Sequence, residues 1–247
     1  MTVYLSEEEL QDLSRFRLGS DRSGSDLSVE SAGLFEPAAL LAYLEAVKPK
    51  IHSDRLNVTG SLFVKRYAFL AALTLYSMTV FEKGLNTEPE NMSLESDDED
   101  PLWLPSFYFR KLECSVPGEN RDEWRDEVLR SLFKSHLSRL VLTVSKEARI
   151  SKMILWENVG LYIVWMYETL LANKPECVTI EQIQEDYEYV VRKADGSLFG
   201  EGLKNPFQSL FREQHSDGAR IRQTCCLYYL TSEKRDRCST CPKHCLT

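Results

Sequence analysis

LFVKRYAFLAALTLYSMTVFE, residues Leu62–Glu82, is the stretch that decides the fold class. Its apolar residues do not alternate, and it is far longer than an ordinary strand, so it reads as a helix. The apolar part, Tyr67 to Phe81, is fifteen residues flanked by Lys65-Arg66 and Glu82-Lys83. A membrane span needs about 20 such residues. The expectation is therefore a helix buried in a protein core, stopped at Gly84.

Reading outward toward the N-terminus, Glu7 to Phe16 forms a short helix, followed by a Ser/Gly/Asp-rich connection. Leu34 to Val47 has helical spacing, with Pro37 in its first turn and Pro49 ending it. In the other direction, residues 85–100 read as a solvated acidic loop containing Glu95-Ser96-Asp97-Asp98-Glu99-Asp100. The aromatic-rich Trp103 to Cys114 suggests one strand or a hairpin partner. Helices are expected at Arg121 to Lys134, Ser151 to Ala172, Thr179 to Tyr189 and Phe207 to Gln214, with a turn at Ala194 to Ser197. Thr179 is the expected cap of its helix, with Gln182 at the capping-box position. Periodicity leaves Leu137 to Val144 undecided between strand and helix. Trp103, Trp156 and Trp165 are assigned to the core. The sum is mainly α with a small β component (α+β) and no internal repeat. It divides into a mostly helical body, 1–215, and a C-terminal segment, 216–247.

With 247 residues, 43% of them apolar, the chain can bury a sizeable core. Its net charge of −8 argues against nucleic acid as a partner, since a phosphate-binding surface carries a basic excess. The start of the sequence is acidic and lacks the apolar core of a signal peptide. Met153 to Leu171 is interrupted by Glu157, Asn158 and Glu168, so no transmembrane segment is expected there either. The expected location is the cytoplasm, where structural disulfides are disfavoured and clustered cysteines lean toward metal.

Cysteines cluster near the end: Cys225 and Cys226 side by side, Cys238 and Cys241 as C-x-x-C, then Cys245. Cys114 and Cys177 lie elsewhere. Thiolates gathered so closely are soft ligands for zinc or an iron–sulfur centre. An adjacent pair chelates a single tetrahedral ion awkwardly, whereas a [2Fe–2S] centre takes four thiolates over two metals. Spacing alone leaves iron–sulfur, zinc and dithiol redox chemistry open. The histidines His52, His136, His215 and His244 are scattered, and only His244 neighbours the cysteines. No dinucleotide fingerprint, H-E-x-x-H or G-x-S-x-G is present.

The run Arg220-Ile221-Arg222-Gln223-Thr224-Cys225-Cys226-Leu227-Tyr228-Tyr229, with Arg235-Asp236-Arg237-Cys238-Ser239-Thr240-Cys241-Pro242, resembles the C-terminal segment of the FhuF-like ferric-siderophore reductases. The spacer, Leu227 to Arg237, is one residue longer than is typical of that family. Gly60 to Ala68, Leu155 to Asn158 and Trp165 to Tyr167 resemble the family's helical siderophore-handling domain, so the likeness covers roughly residues 35–245. It implies a [2Fe–2S] cluster on Cys225, Cys226, Cys238 and Cys241, with Cys245 a bystander. It implies one-electron reduction of siderophore-bound Fe(III) to Fe(II), with electrons from a protein donor such as a ferredoxin. An anionic citrate- or hydroxamate-type ferric siderophore requires fixed positive charge, and the candidates are Lys65, Arg66, Arg130 and Lys134, with Arg149 and Lys152 beside the second long helix. Arg220 and Arg222, helped by Arg235 and Arg237, would offset the cluster's negative charge and raise its potential. A substrate-facing Trp156 is a further candidate. The main alternative is a non-enzymatic siderophore-binding module with a structural zinc site; a redox-sensing regulator is the third reading.

Overall fold

Ser6 launches the first helix through a reciprocal capping box. Its hydroxyl accepts from the Glu9 N–H at 3.2 Å, and the Glu9 carboxylate accepts from the Ser6 N–H at 2.6 Å. The computed structural model describes residues 2–208, 222–232, 234–238 and 241–243. Within them α1 (Glu7–Ser14) is followed by α2 (Pro37–Val47), with Pro37 in the first turn as expected. The residues before Pro37 form a separate 3₁₀ turn, Ser31–Phe35.

The decisive apolar stretch folds as two helices, α3 (Leu56–Tyr67) and α4 (Phe69–Phe81), offset at Ala68. The start lies upstream of the expected Leu62. The stop is Glu82 in the left-handed region (φ 52°), not Gly84, which enters a strand. Taken together, Leu56–Phe81 is long and apolar enough to cross a membrane by length and composition, but 83% of its most apolar window is buried inside the fold. It is a core element rather than a clear transmembrane segment.

Next come α5 (Arg121–Leu129), a π-helical stretch (Arg130–Leu137) and α6 (Ser138–Glu147), which settles the ambiguous 137–144 region as helix. Then α7 (Lys152–Ala172) starts at the Ser151 cap, and α8 (Ile180–Glu188) starts at Thr179, whose hydroxyl accepts from the Gln182 N–H at 3.1 Å. Phe207 and Gln208 lie in a turn, and the rest of the expected 207–214 helix falls outside the described residues.

Two small antiparallel sheets complete the mainly α fold. One orders β1 (Thr2–Tyr4), β6 (Glu113–Ser115) and β3 (Gly84–Leu85); the other orders β2 (Val29–Glu30), β4 (Met92–Glu95) and β5 (Ser106–Phe109). Trp103 to Cys114 thus holds two strands, the first of them the antiparallel hairpin partner of the preceding β4. It supplies β5 to one sheet and β6 to the other, and Cys114, opposite Val3 and Leu85, is a buried core thiol. The acidic loop expected at 85–100 is also corrected. Its middle is the buried strand β4, and the exposed residues are Asn86, Glu88 and Glu90 before it and Asp97, Asp98 and Glu99 after it. Glu95 and Ser96 are buried because they have partners. The Glu95 carboxylate accepts from the Ser23 N–H at 2.8 Å and from the Ser93 hydroxyl, and Ser96 Oγ accepts from Trp103 Nε1 at 3.2 Å. Trp103 and Trp156 are buried, but Trp165 is 44% exposed: it lies on the outward side of α7 with the exposed Glu168 and Thr169.

The helical core is built on α7, against which α3, α4, α6 and α8 pack. Close approach of α3 to the end of α6 depends on Gly60, where an added Cβ would sit 2.7 Å from the Ala148 Cβ. Asp186, fully buried, is held by Arg121 (2.9 and 2.8 Å), Arg125 (3.0 Å) and the Thr79 hydroxyl (3.0 Å). Buried His136 has the Thr87 carbonyl 2.6 Å from Nδ1, so Nδ1 carries the proton and Nε2 accepts from the Tyr67 hydroxyl at 2.7 Å.

Gly60→Ala is expected to cost about 1–3 kcal/mol by overpacking, read as a lowered midpoint in urea denaturation. Burial pushes the His136 pKa down to about 4 from 6.5. Between those values the unfolded chain binds a proton that the folded chain refuses, so His136 makes stability fall as pH drops through that window. An NMR titration of the His136 ring should show it neutral down to about pH 4.

Candidate metal centre

Ser61 and Lys65 stand four residues apart on α3 and face the same way. The Ser61 hydroxyl donates to the Cys226 carbonyl at 2.8 Å, and Lys65 Nζ lies 4.0 Å from Cys226 Sγ. On α7, Asn158 donates to the Ser61 carbonyl (2.9 Å) and hydroxyl (3.1 Å) and accepts from Arg222 at 2.6 Å. Its neighbour Glu157 holds the residues just before the cysteines. Its carboxylate accepts from the Gln223 N–H (2.5 Å), the Thr224 N–H (2.9 Å), the Thr224 hydroxyl and Arg222 Nε (3.4 Å). Ser61, Glu157, Asn158 and Arg222 are all buried.

After the adjacent cysteines, Leu227 turns the chain in the left-handed region (φ 66°), and its N–H points at Cys225 Sγ at 3.4 Å. The turn Tyr228–Leu230 then packs on α3, with Leu227 and Leu230 against the core. The C-x-x-C half closes with the Cys241 N–H donating to the Cys238 carbonyl at 2.9 Å. This brings the halves of the motif face to face: Cys225 and Cys241 sulfurs lie 3.8 Å apart, and Cys226 is hydrogen-bonded by Cys238.

Electrostatics divides the adjacent thiols. The Cys238 hydrogen bond, with Lys65 and Arg222 nearby, holds the Cys226 pKa well below the ordinary thiol value, against the opposing effect of burial. Burial pushes Cys225 upward. A thiolate is the ligating form, and Cys226 is poised as one.

The donor set fits a binuclear sulfur-ligated centre. Two thiolates on one tetrahedral metal with bonds of about 2.3 Å stand about 3.8 Å apart, the spacing of Cys225 and Cys241. Among the described residues the thiols meet in two pairs, Cys225 with Cys241 and Cys226 with Cys238. The buried Arg222 Nη1 has no hydrogen-bond partner among the described residues, which leaves a charged donor for an anionic group beside the thiols.

The other sequence candidates separate. Arg66 donates to the Leu102 carbonyl (3.2 and 2.8 Å) and lies over Trp103, while Arg237 lies over Tyr229. Arg235, with His52 and Arg55, lines a cavity of about 740 Å³ beside the inter-cysteine spacer. Lys134, Lys152 and Trp156 line a second cavity of about 570 Å³, while the exposed Arg130 is not among its lining residues. Arg139 and Lys204 also line it and were missed, because neither lies in a pattern that marks a site. Ser61, Glu157 and Asn158 were missed as anchors, although the Ser61/Lys65 spacing and a Glu-Asn pair inside an apolar helix were available signals. Arg220, His215, His244 and Cys245 lie outside the described residues.

Glu157→Ala should strand the buried Arg222 and two backbone N–H groups. The expected cost is about 3–5 kcal/mol in the metal-free protein, read by denaturant unfolding, with faster proteolysis between residues 222 and 226.

No curated protein matches this chain. Residues 61–215 match the family described as ferric iron reductase FhuF-like transporter, and residues 222–243 match the FhuF 2Fe-2S C-terminal domain. The second match covers both halves of the cysteine motif, so the cofactor is a [2Fe–2S] cluster. With its larger part matched by the first, the chain belongs to the FhuF-like ferric iron reductase family.

Proposed function

We propose that this chain is a cytoplasmic ferric-siderophore reductase whose cluster ligands are Cys225, Cys226, Cys238 and Cys241. The observation that carries the reading is the meeting of Cys225 with Cys241, and of Cys226 with Cys238, beside Lys65 and Arg222. When bound there, a [2Fe–2S] centre supplies a one-electron carrier. The reaction needs little else: Fe(III) in the chelate gains one electron and becomes Fe(II), which hard anionic oxygens hold far less tightly. No bond to carbon breaks, so no general acid, base or nucleophile is required.

The chain's own residues bind, orient and tune. Glu157, Asn158 and Ser61 fix the Cys225–Cys226 loop on α7 and α3. Lys65 and Arg222 set positive charge against the thiolates, which raises the potential at which an electron is accepted; Arg220 is assigned the same role. Lys65, Arg66, Arg130 and Lys134 are the residues proposed to attract an anionic chelate. Residues 1–215 form the substrate-handling body and 216–247 the electron-carrying segment, served by a protein donor such as a ferredoxin.

Protein purified without oxygen should be reddish-brown and bleach with dithionite, and the reduced form should release Fe(II) from ferric siderophores, read by a ferrous-specific chromophore. Cys238→Ser or Cys241→Ser should abolish iron and sulfide content and visible absorption, while Cys245→Ser should leave all three intact. A colourless protein carrying stoichiometric zinc overturns the reading.

A further inference from the structure

We infer that the cavity between α6, the start of α7 and the 199–206 loop is the seat of the organic part of the substrate, and that it selects ferric chelates with anionic aromatic arms over hydrated carboxylate chelates. The inference rests on the ferric-chelate reading above. At about 570 Å³ the cavity is the size of a small-molecule site. Its walls are apolar: Leu142 and Leu203 are 58% and 49% exposed, and behind them Trp156 and Phe199 belong to a buried aromatic cluster with Phe133 and Phe207.

The rim is cationic. Lys134, Arg139, Lys152 and Lys204 line the cavity together with a single carboxylate, Glu201, whose side chain is 93% exposed and 3.8 Å from Lys134. The whole chain has 38 acidic and 30 basic residues, so four cations against one acid reverse its charge balance at this spot. Charge at the mouth and apolar surface within suit a ligand with anionic oxygens and flat apolar rings. Such rings pack on the exposed Leu142 and Leu203 and meet the accessible edge of Trp156, with the rim cations beside them. A citrate-type chelate, hydrated all round, would shed water against walls that return few hydrogen bonds.

The place also suits the chemistry. Trp156 directly precedes Glu157, whose carboxylate holds Gln223 and Thr224 next to the cysteines. A ligand seated on Trp156 therefore rests on the helix that carries the thiol segment.

Calorimetric titration of the cluster-loaded full-length protein with gallium(III) catecholate, which cannot be reduced under these conditions, separates binding from electron transfer. The catecholate complex should bind about tenfold or more tighter than gallium(III) citrate. The exposed-residue variant Lys152→Glu/Lys204→Glu should weaken it about tenfold or more, as expected for reversing two charges beside an anion, and Leu142→Asp should do likewise. Circular dichroism and the visible spectrum should be unchanged in both variants. Equal binding by wild type and variants, tighter binding of the citrate complex, or no binding of the catecholate complex overturns the assignment, even if the reduced protein still releases Fe(II) from ferric chelates. Binding lost as expected in the variants, but with no Fe(II) formed from any ferric catecholate, hydroxamate or citrate chelate by the dithionite-reduced protein, sinks the reductase reading and leaves the cavity assignment standing.

Discussion

The buried carboxylate of Glu157 is the constraint on which the thiol site depends. An ion removed from water costs several kcal/mol unless charge and hydrogen bonds offset the loss. Here the compensation comes from the Arg222 guanidinium, two backbone N–H groups and the Thr224 hydroxyl, all within three residues of one short segment. The segment is therefore docked on α7 wherever Glu157 is buried. Asn158 and Ser61 extend the same lock to the Cys226 carbonyl, so two helices far apart in sequence hold one loop.

Positive charge is distributed with the same economy. An acidic chain sets Lys65 and Arg222 against the thiols, and Lys134, Arg139, Lys152 and Lys204 around an aromatic cavity. Arg222 is buried, where its charge acts more strongly than those of the exposed Arg139, Lys152 and Lys204. Both groups border the first half of α7, which makes that helix the link between the cavity and the cysteines. Its largely apolar character follows from its central place, with four other helices packed on it.

Helices were largely legible in the sequence because their signals are local. Thr179 and Gln182, or Ser151 before α7, satisfy N–H groups within one turn. Short strands were not. β4 and β5 are defined by each other and by Val29 and Glu30, more than sixty residues upstream of their partners. Glu95 looked like part of a solvated charge run because its partner Ser23 is seventy-two positions away. Trp165 looked like core because hydrophobicity alone does not say which side of a largely apolar helix lacks a neighbour.

By itself the sequence determined the mainly helical class, the four thiols and the family, since each is written in contiguous spacing: helical period, caps, and a C-C pair followed by C-x-x-C. Only the tertiary structure decided which cations lie beside the thiols and which line the cavity. It put Lys65 beside Cys226, gathered Lys134, Lys152 and Trp156 in one cavity and left Arg130 out of that lining. It also made Glu157 and Asn158 anchors for residues more than sixty positions away. Those contacts depend on how helices pack and what they bury, and no local period encodes that.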